Sequence, residues 1–208
     1  KLAALGQLSA SIAHEIRNPL SAINHAAQLL AESPALATAD ARLAAIISNH
    51  CGRMNQLVQN VLQSSRPNPP RPELIDLAQE LPRQVAAFRE TEPDALVEID
   101  INPSNLAVRM DRSHLDQVLS NLLANAVRHS QQRTGRRWAR IEGRLDDGSS
   151  RPILSVLDEG SGVDDAGRER LFEPFFSTES QGTGLGLYLS RALCQANQSD
   201  LRYHPRAT

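Results

Sequence analysis

The 208-residue chain has only two cysteines, no long apolar run and no excess of either charge. Cys51 and Cys194 both fall inside helical patterns and build no spaced framework, which excludes a disulfide-stapled fold and points to a reducing compartment. No apolar stretch approaches the roughly 18 residues that cross a bilayer, and no signal peptide opens the chain. With 22 basic residues against 24 acidic ones, the net charge of -2 gives no electrostatic case for nucleic acid or for an anionic membrane surface. The first residue is Lys1 rather than Met and already stands in helical register. The chain is therefore expected to be a cytoplasmic fragment, touching a membrane only through a region outside it. Its length suits one large domain or two small ones.

What is present begins with helical periodicity. Leu2, Leu5, Leu8, Ile12, Ile16, Leu20 and Ile23 recur every three or four residues, the mark of a helix with one buried stripe, expected over about residues 2 to 31. His14 stands two residues from both Ile12 and Ile16, turned about 200° from each, so it faces solvent. Glu15 is its chain neighbour, and Asn18 shares its face one turn on. A zinc-binding His-Glu-x-x-His helix would need a second imidazole where Asn18 stands, which excludes a metalloprotease. Pro19 lacks a backbone donor and is expected to kink or loosen the helix just past His14.

A second helix is expected from a cap at Asp40 to Ser65, after a turn at Pro34. Leu43, Ile46, Ile47, His50, Met54, Leu57, Val58, Val61 and Leu62 form its stripe. Two such helices cannot enclose their own apolar faces. A second copy of the hairpin would close a four-helix bundle, so a homodimer is expected; the alternative is packing against the chain's own C-terminal domain. His25 and His50 lie near the stripes and are expected in the core or at its boundary.

Arg66-Pro-Asn-Pro-Pro-Arg-Pro72 suits neither a helix nor a central strand and reads as a semi-rigid boundary. The expected organisation is a hairpin over 1–65, a linker over 66–72 and an α+β domain over 73–208. Strand-like runs fall at 74–77, 96–102, 106–110, 138–145 and 153–157, with a short one at 201–203. Helical patterns fall at about 78–89, where Pro82 is awkward, and at 113–129 and 186–198. Such interleaving predicts a mixed sheet with helices on one face.

Four motifs in this half carry chemistry. On the 113–129 helix, Leu115, Val118, Leu119, Leu122 and Leu123 point to the core while Asn121 and Asn125 stack on a flank. Amide oxygens are hard, neutral ligands suited to Mg²⁺ that already carries triphosphate oxygens, and Arg128 follows where a guanidinium can meet phosphate. In Leu157-Asp-Glu-Gly-Ser-Gly-Val163, Asp158 can accept from an exocyclic amine, and Gly160 and Gly162 let backbone approach a base. Phe172-Glu-Pro-Phe-Phe-Ser177 gathers three of the chain's four phenylalanines. It reads either as core packing or as the hinge of a lid. Gly182-Thr-Gly-Leu-Gly-Leu187 runs into a helix, where free N–H groups and the dipole favour phosphate. Its third glycine comes too early for a Rossmann fingerprint, and no Lys-Ser or Lys-Thr follows to make a P-loop.

In this order the His14 segment, Asn-x-x-x-Asn, Asp-x-Gly-x-Gly, the Phe-rich segment and Gly-x-Gly-x-Gly resemble the sensor histidine kinases of two-component signalling, over the whole chain. His14-Glu-Ile-Arg-Asn-Pro-Leu20 and the stretch from Phe172 to Ser190 most resemble the nitrogen-regulation kinases and, more closely, the type IV pilus sensor kinases. Cys194-Gln-Ala-Asn-Gln198, where most of the family has His-Gly-Gly, favours the latter. The resemblance implies a dimerising phosphotransfer hairpin followed by an α/β sandwich of the Bergerat type, shared with gyrase and Hsp90, with ATP and Mg²⁺ as cofactors. It implies autophosphorylation on His14, transfer to a response-regulator receiver aspartate, phosphatase activity, control of type IV pilus transcription, and an inner-membrane-anchored bacterial sensor as the whole.

Carried over residue by residue, His14 is the phosphoacceptor, Glu15 its general base, and Asn18 an aid to dephosphorylation of the partner. Asn125 is the Mg²⁺ ligand; Asn121, Arg128 and His129 line phosphates and ribose; Asp158, with Gly160 and Gly162, reads adenine. Phe175 and the Gly182, Thr183, Gly184, Leu185, Gly186 stretch complete the nucleotide site, its glycines hinging the lid. Two departures are visible. Glu179 stands where many relatives carry lysine, and the chain stops at Thr208 where relatives add a glycine-rich turn and a strand, so an incomplete sheet and weaker ATP binding are expected. A catalytically silent nucleotide-binding scaffold is the alternative. A gyrase-type ATPase is disfavoured because Asn121 stands where those enzymes use a water-activating glutamate.

Overall fold

The computed structural model describes residues 2–32, 40–48, 50–52, 54, 69–177 and 184–205, with residues 2–15 and 17 as backbone alone. The chain divides into two compact units, the first formed by Lys1–Asn68 with Glu179–Leu185 and the second by Pro69–Thr178 with Gly186–Thr208.

In the first unit α1 spans Leu2–Ala31 and runs on through Pro19 without a break, so the proline does not end the helix. A second helix, α2, is described over 40–48 and 50–52. Leu20 and Ala27 of α1 and Ala44 and Cys51 of α2 are buried. Ile16, Ile23, Leu29 and Leu30, with Leu43, Ile46, Ile47 and Met54, stay exposed in the single chain. His25 and His50, expected in the core or at its boundary, are also exposed. The helical wheel explains both: His25 is about 200° from buried Ala27, and His50 about 100° from buried Cys51. Pro34 and the stripe residues Leu57, Val58, Val61 and Leu62 lie outside the described residues. No described helix is long and apolar enough to cross a membrane.

The second unit runs β1 (Glu73–Asp76), α3 (Leu77–Thr91), β2 (Leu96–Asn102), β3 (Ala107–Met110), α4 (Arg112–Thr134), β4 (Trp138–Leu145), β5 (Pro152–Leu157), α5 (Asp165–Arg170) and α6 (Gly186–Ala196). The mixed sheet has the order β2-β4-β5, with β2 parallel and β5 antiparallel to β4. β1 and β3 do not join it but pair as a separate antiparallel ribbon. Strand alternation divides the sheet's faces. Val97 of β2 and Ala139 and Ile141 of β4 point into the core with Leu77, Leu81, Val85 and Phe88 of α3 and Leu115, Leu119, Leu123 and Val127 of α4. On the other face Glu98 pairs with Arg140 across the strands, 2.6 Å apart. α3 packs on β2, α4 on β4 and β5, and α6 on α4.

Three features of these elements have physical causes. α3 contains Pro82, because Asp76 caps its first turn and Leu77, Leu81, Val85 and Phe88 bury one whole stripe; the lost hydrogen bond costs less than that burial returns. α4 runs on to Thr134 and ends on Gly135 in the left-handed region at φ 75°, a helix-ending glycine. Leu201–Tyr203 is not a strand; those residues have no regular structure, and the Tyr203 side chain instead reaches the Asp158 loop.

Candidate nucleotide site

α4 is the element on which the site is assembled. Asp111 caps it, accepting from the N–H groups of Ser113 and His114, and its second oxygen accepts from the Arg71 N–H at 2.8 Å. That backbone donor, followed by the Ser113 hydroxyl, holds the Asp111 carboxyl down at about 2. One turn into α3, buried Glu80 pairs with Arg112, which also holds Glu73 at 2.8 Å. This network ties β1 and α3 to the start of α4.

Further along α4, the flank expected to carry ligands is already engaged. Asn125 Oδ1 accepts from Arg128 Nη2 at 2.8 Å, so the amide oxygen is presented to a cation. Asn121 Nδ2 donates to Ser190 Oγ at 3.3 Å and lies 3.5 Å from the Gly186 carbonyl. Its amide thus seats the first turn of α6 on α4. The far end of α6 is seated by Asn197, which is buried. Its Oδ1 accepts from the Asp111 N–H at 2.8 Å, and its Nδ2 donates to the Leu193 carbonyl at 2.8 Å and lies 2.8 Å from His114 Nδ1. With the amide fixed by those two backbone partners, His114 presents Nδ1 as an acceptor.

The loop after β5 folds back on the same helix. The Gly160 N–H donates to Asp158 Oδ1 at 2.7 Å, fixing the carboxylate at the strand end. A Cβ on Gly160 would lie 2.7 Å from that oxygen and 2.9 Å from His129 Cβ, so only glycine fits there. Gly162 adopts φ 75°, and the Val163 N–H donates to Tyr203 Oη at 3.1 Å. Buried Ser130 accepts from the Glu159 N–H at 2.9 Å. Arg133 Nη1 donates to the Gly160 carbonyl at 2.9 Å and the Glu159 carbonyl at 3.4 Å.

The structure therefore brings Asn121, Asn125, Arg128, His129, Asp158, Gly160 and Gly186 around α4. Gly184 precedes α6 at φ 67°, and Leu185 follows it. Gly182, Thr183 and Glu179 lie outside the described residues. Phe172 and Phe176 are half-buried under Arg191 and Arg170, at 4.9 Å and 4.5 Å from ring centroid to guanidinium. Among the described residues neither belongs to the buried core cluster. Phe175 is 70 % exposed with φ 65°. In the first unit Asn18 is exposed on α1, and the side chains of His14 and Glu15 lie outside the described residues. Sequence reasoning missed Ser130, Arg133, Ser190, Asn197 and Tyr203. For Ser130 and Arg133 the available signal was their place one and two turns past Asn125 on one helix.

Among the described residues no cluster of three or more His, Cys, Asp or Glu side chains could hold a metal ion. The neutral oxygen of Asn125, already facing a guanidinium, fits a Mg²⁺ that arrives with anionic oxygens of its own.

The chain thus pairs a helical unit that carries His14 ahead of Pro19 with an α/β unit that sets an Asp-Gly loop against a twin-asparagine helix. Residues 4–70 match the His Kinase A (phospho-acceptor) domain, and residues 110–207 match the Histidine kinase-, DNA gyrase B-, and HSP90-like ATPase; the chain belongs to the histidine kinase family. It is 47 % identical over 207 residues to Sensor protein kinase PilS of Pseudomonas aeruginosa, a match covering 99 % of this chain and 39 % of that protein. Signal transduction histidine-protein kinase AtoS of Escherichia coli is 34 % identical over 206 residues, covering 97 % and 33 %. The chain thus spans well under half the length of both relatives. Full-length ShkA in complex with AMPPNP shares the fold with a TM-score of 0.65 at 24 % identity, over 91 % of this chain and 41 % of that one.

Proposed function

We propose that this chain transfers the γ-phosphoryl group of ATP to His14 and passes it on to the aspartate of a response-regulator receiver domain. The observation that carries the reading is the convergence on α4: Asn125 and Arg128 at one level, and the Asp158 loop fastened to the same helix a few residues on. Asp158 accepts from the adenine amine, Gly160 and Gly162 allow the base to approach, and Arg128, His129 and the Gly182–Gly186 stretch serve phosphates and ribose. Asn125 would hold Mg²⁺, whose charge neutralises the phosphate oxygens. Asn121 serves through its seat on α6. Phe175 borders the lid.

Phosphoryl transfer asks the protein mainly for alignment and charge neutralisation. An imidazole, with an ordinary pKa near 6.5, is largely neutral and nucleophilic at cytoplasmic pH. A nitrogen of His14 attacks phosphorus, the bond to the β-phosphate oxygen breaks, ADP leaves with the electron pair, and Glu15 takes the imidazole proton. Asn18 then orients water for hydrolysis of the regulator's aspartyl phosphate. Residues 1–65 act as the dimerising phosphotransfer hairpin, 66–72 as linker and 73–208 as the ATP-binding domain. The exposed apolar rows of α1 and α2 support a homodimer. A solved complex of histidine kinase ThkA with response regulator protein TrrA supports the choice of partner, by fold alone. The identity to PilS supports a role in type IV pilus control within a membrane-anchored sensor.

The test is incubation with γ-labelled ATP followed by addition of a receiver domain. Acid-labile, base-stable label should appear on the chain and then move to the receiver. Nucleotide binding without label would identify a silent scaffold instead.

A further inference from the structure

Ser130 and Arg133 belong to none of the five motifs, yet both grip the main chain of the loop that follows Asp158. Ser130 is fully buried and accepts from the Glu159 N–H at 2.9 Å. Arg133 donates to the Gly160 carbonyl at 2.9 Å and, more weakly, to the Glu159 carbonyl at 3.4 Å. The Glu159–Gly160 segment is thus held through N–H on one side and C=O on the other. Glu159 adds a looser contact, its carboxylate 3.7 Å from Arg136 Nη1. Gly160 sits as close to α4 as a residue can, since even a Cβ would meet His129 at 2.9 Å. The Gly160 N–H is also the donor that orients the Asp158 carboxylate, at 2.7 Å.

We propose that Arg133, with Ser130 beneath it, is the positioning pair that sets base preference at this site, by holding the loop so that the Asp158 carboxylate faces an exocyclic amine. The inference rests on the reading of Asp158 as the adenine acceptor. A carboxylate accepts from the adenine amine but opposes the guanine carbonyl, so discrimination depends on where its oxygens stand. Releasing the loop lets the carboxylate turn away, which removes the reward for adenine and the penalty for guanine together. Arg133 lies eight residues beyond Asn125, about 12 Å along one helix. α4 therefore sets both the phosphate end and the base end of the site, and the loop's grip on it fixes their separation.

The experiment is direct calorimetric titration of the whole chain with Mg-ATP and with Mg-GTP, for the parent, Arg133→Met, Arg133→Lys and Asp158→Ala, with melting temperatures recorded in parallel. Methionine keeps an apolar stem, so the exposed position still folds. Arg133→Met should weaken ATP about tenfold, or about 1.4 kcal/mol, while GTP changes by less than about twofold, so the ATP-to-GTP ratio falls about tenfold. Lysine, which can still donate to the Gly160 carbonyl, should restore most of that ratio. Equal weakening of both nucleotides, tracking a lowered melting temperature, would overturn the proposal. So would an unchanged ratio in Arg133→Met beside a lost one in Asp158→Ala. If Asp158→Ala itself keeps the parent's ratio, the adenine reading fails first and the positioning role falls with it.

Discussion

Leu77, Leu119, Leu123 and Ile141 of the second unit are all at most 2 % exposed, whereas Ile23, Leu29, Leu30 and Leu43 of the hairpin stand 49–57 % exposed. Both regions are rich in aliphatic side chains, and the difference lies in what their topology can cover. A mixed sheet with helices packed on it encloses its own apolar face. Two helices do not, and what they leave bare is a row at helical spacing on each. The same contrast holds for polar groups. The second unit binds its elements with long-range contacts such as Glu80 to Arg112 and Asn197 to Asp111, which commit α3, α4 and α6 to one arrangement. On the proposed function, α4 and the Asp158 loop of the self-sufficient unit would hold most of the nucleotide, and His14 would be carried by the unit whose apolar rows stay bare.

That contrast can be broken from either side, and the largest effect is expected in the hairpin. Ile46→Asp puts a charge into the bare row of α2, costs the single chain little, and should turn the dimer into a monomer by light scattering while abolishing phosphohistidine label. Nucleotide binding should persist, and a variant that stays dimeric would contradict the bundle. In the second unit, Arg112→Met leaves the buried carboxylate of Glu80 with only the looser Arg83 contact at 3.9 Å and should lower unfolding free energy in urea by about 2 kcal/mol. A loss below about 1 kcal/mol would show that the network is dispensable.

A smaller effect sharpens the electrostatic part. Asp111 titrates at about 2 in the fold against an ordinary 3.8. A depressed carboxyl stabilises above its unfolded pKa, so its contribution is full above about pH 4 and disappears as pH falls through 2. Asp111→Asn keeps a capping oxygen but no charge. It should cost about 1 kcal/mol at pH 7 and no more than a few tenths at pH 2, where the carboxyl is half protonated, read from urea unfolding at both values; equal costs at the two pH values would assign the effect to packing.

Much of this was legible in the chain itself. The runs at 96–102 and 138–145 return as β2 and β4 with the same bounds, because alternating apolar residues on a half-buried sheet leave little choice of face. The Asn125 and Asp158 neighbourhoods were legible too, as residue types whose chemistry is narrow. Less legible was anything settled by distant partners. β1 and β3 left the main sheet to pair with each other, a choice no local pattern records. Leu201–Tyr203 had strand-like composition, yet Tyr203 is used through its hydroxyl at Val163. α5 is six residues long with only Gly167 buried, too short to show a periodicity. Nor does any local pattern record that the Asn121 amide donates to Ser190, sixty-nine positions on.

The central claim is that nucleotide binding and phosphate acceptance reside on different units of one chain. His14→Gln tests it most directly, with ATP affinity by calorimetry and acid-labile label after γ-labelled ATP measured on the same preparation. The account predicts parental affinity for ATP and no label. Label that persists in His14→Gln would place the acceptor elsewhere, and label lost together with ATP binding would contradict the separation of the two units.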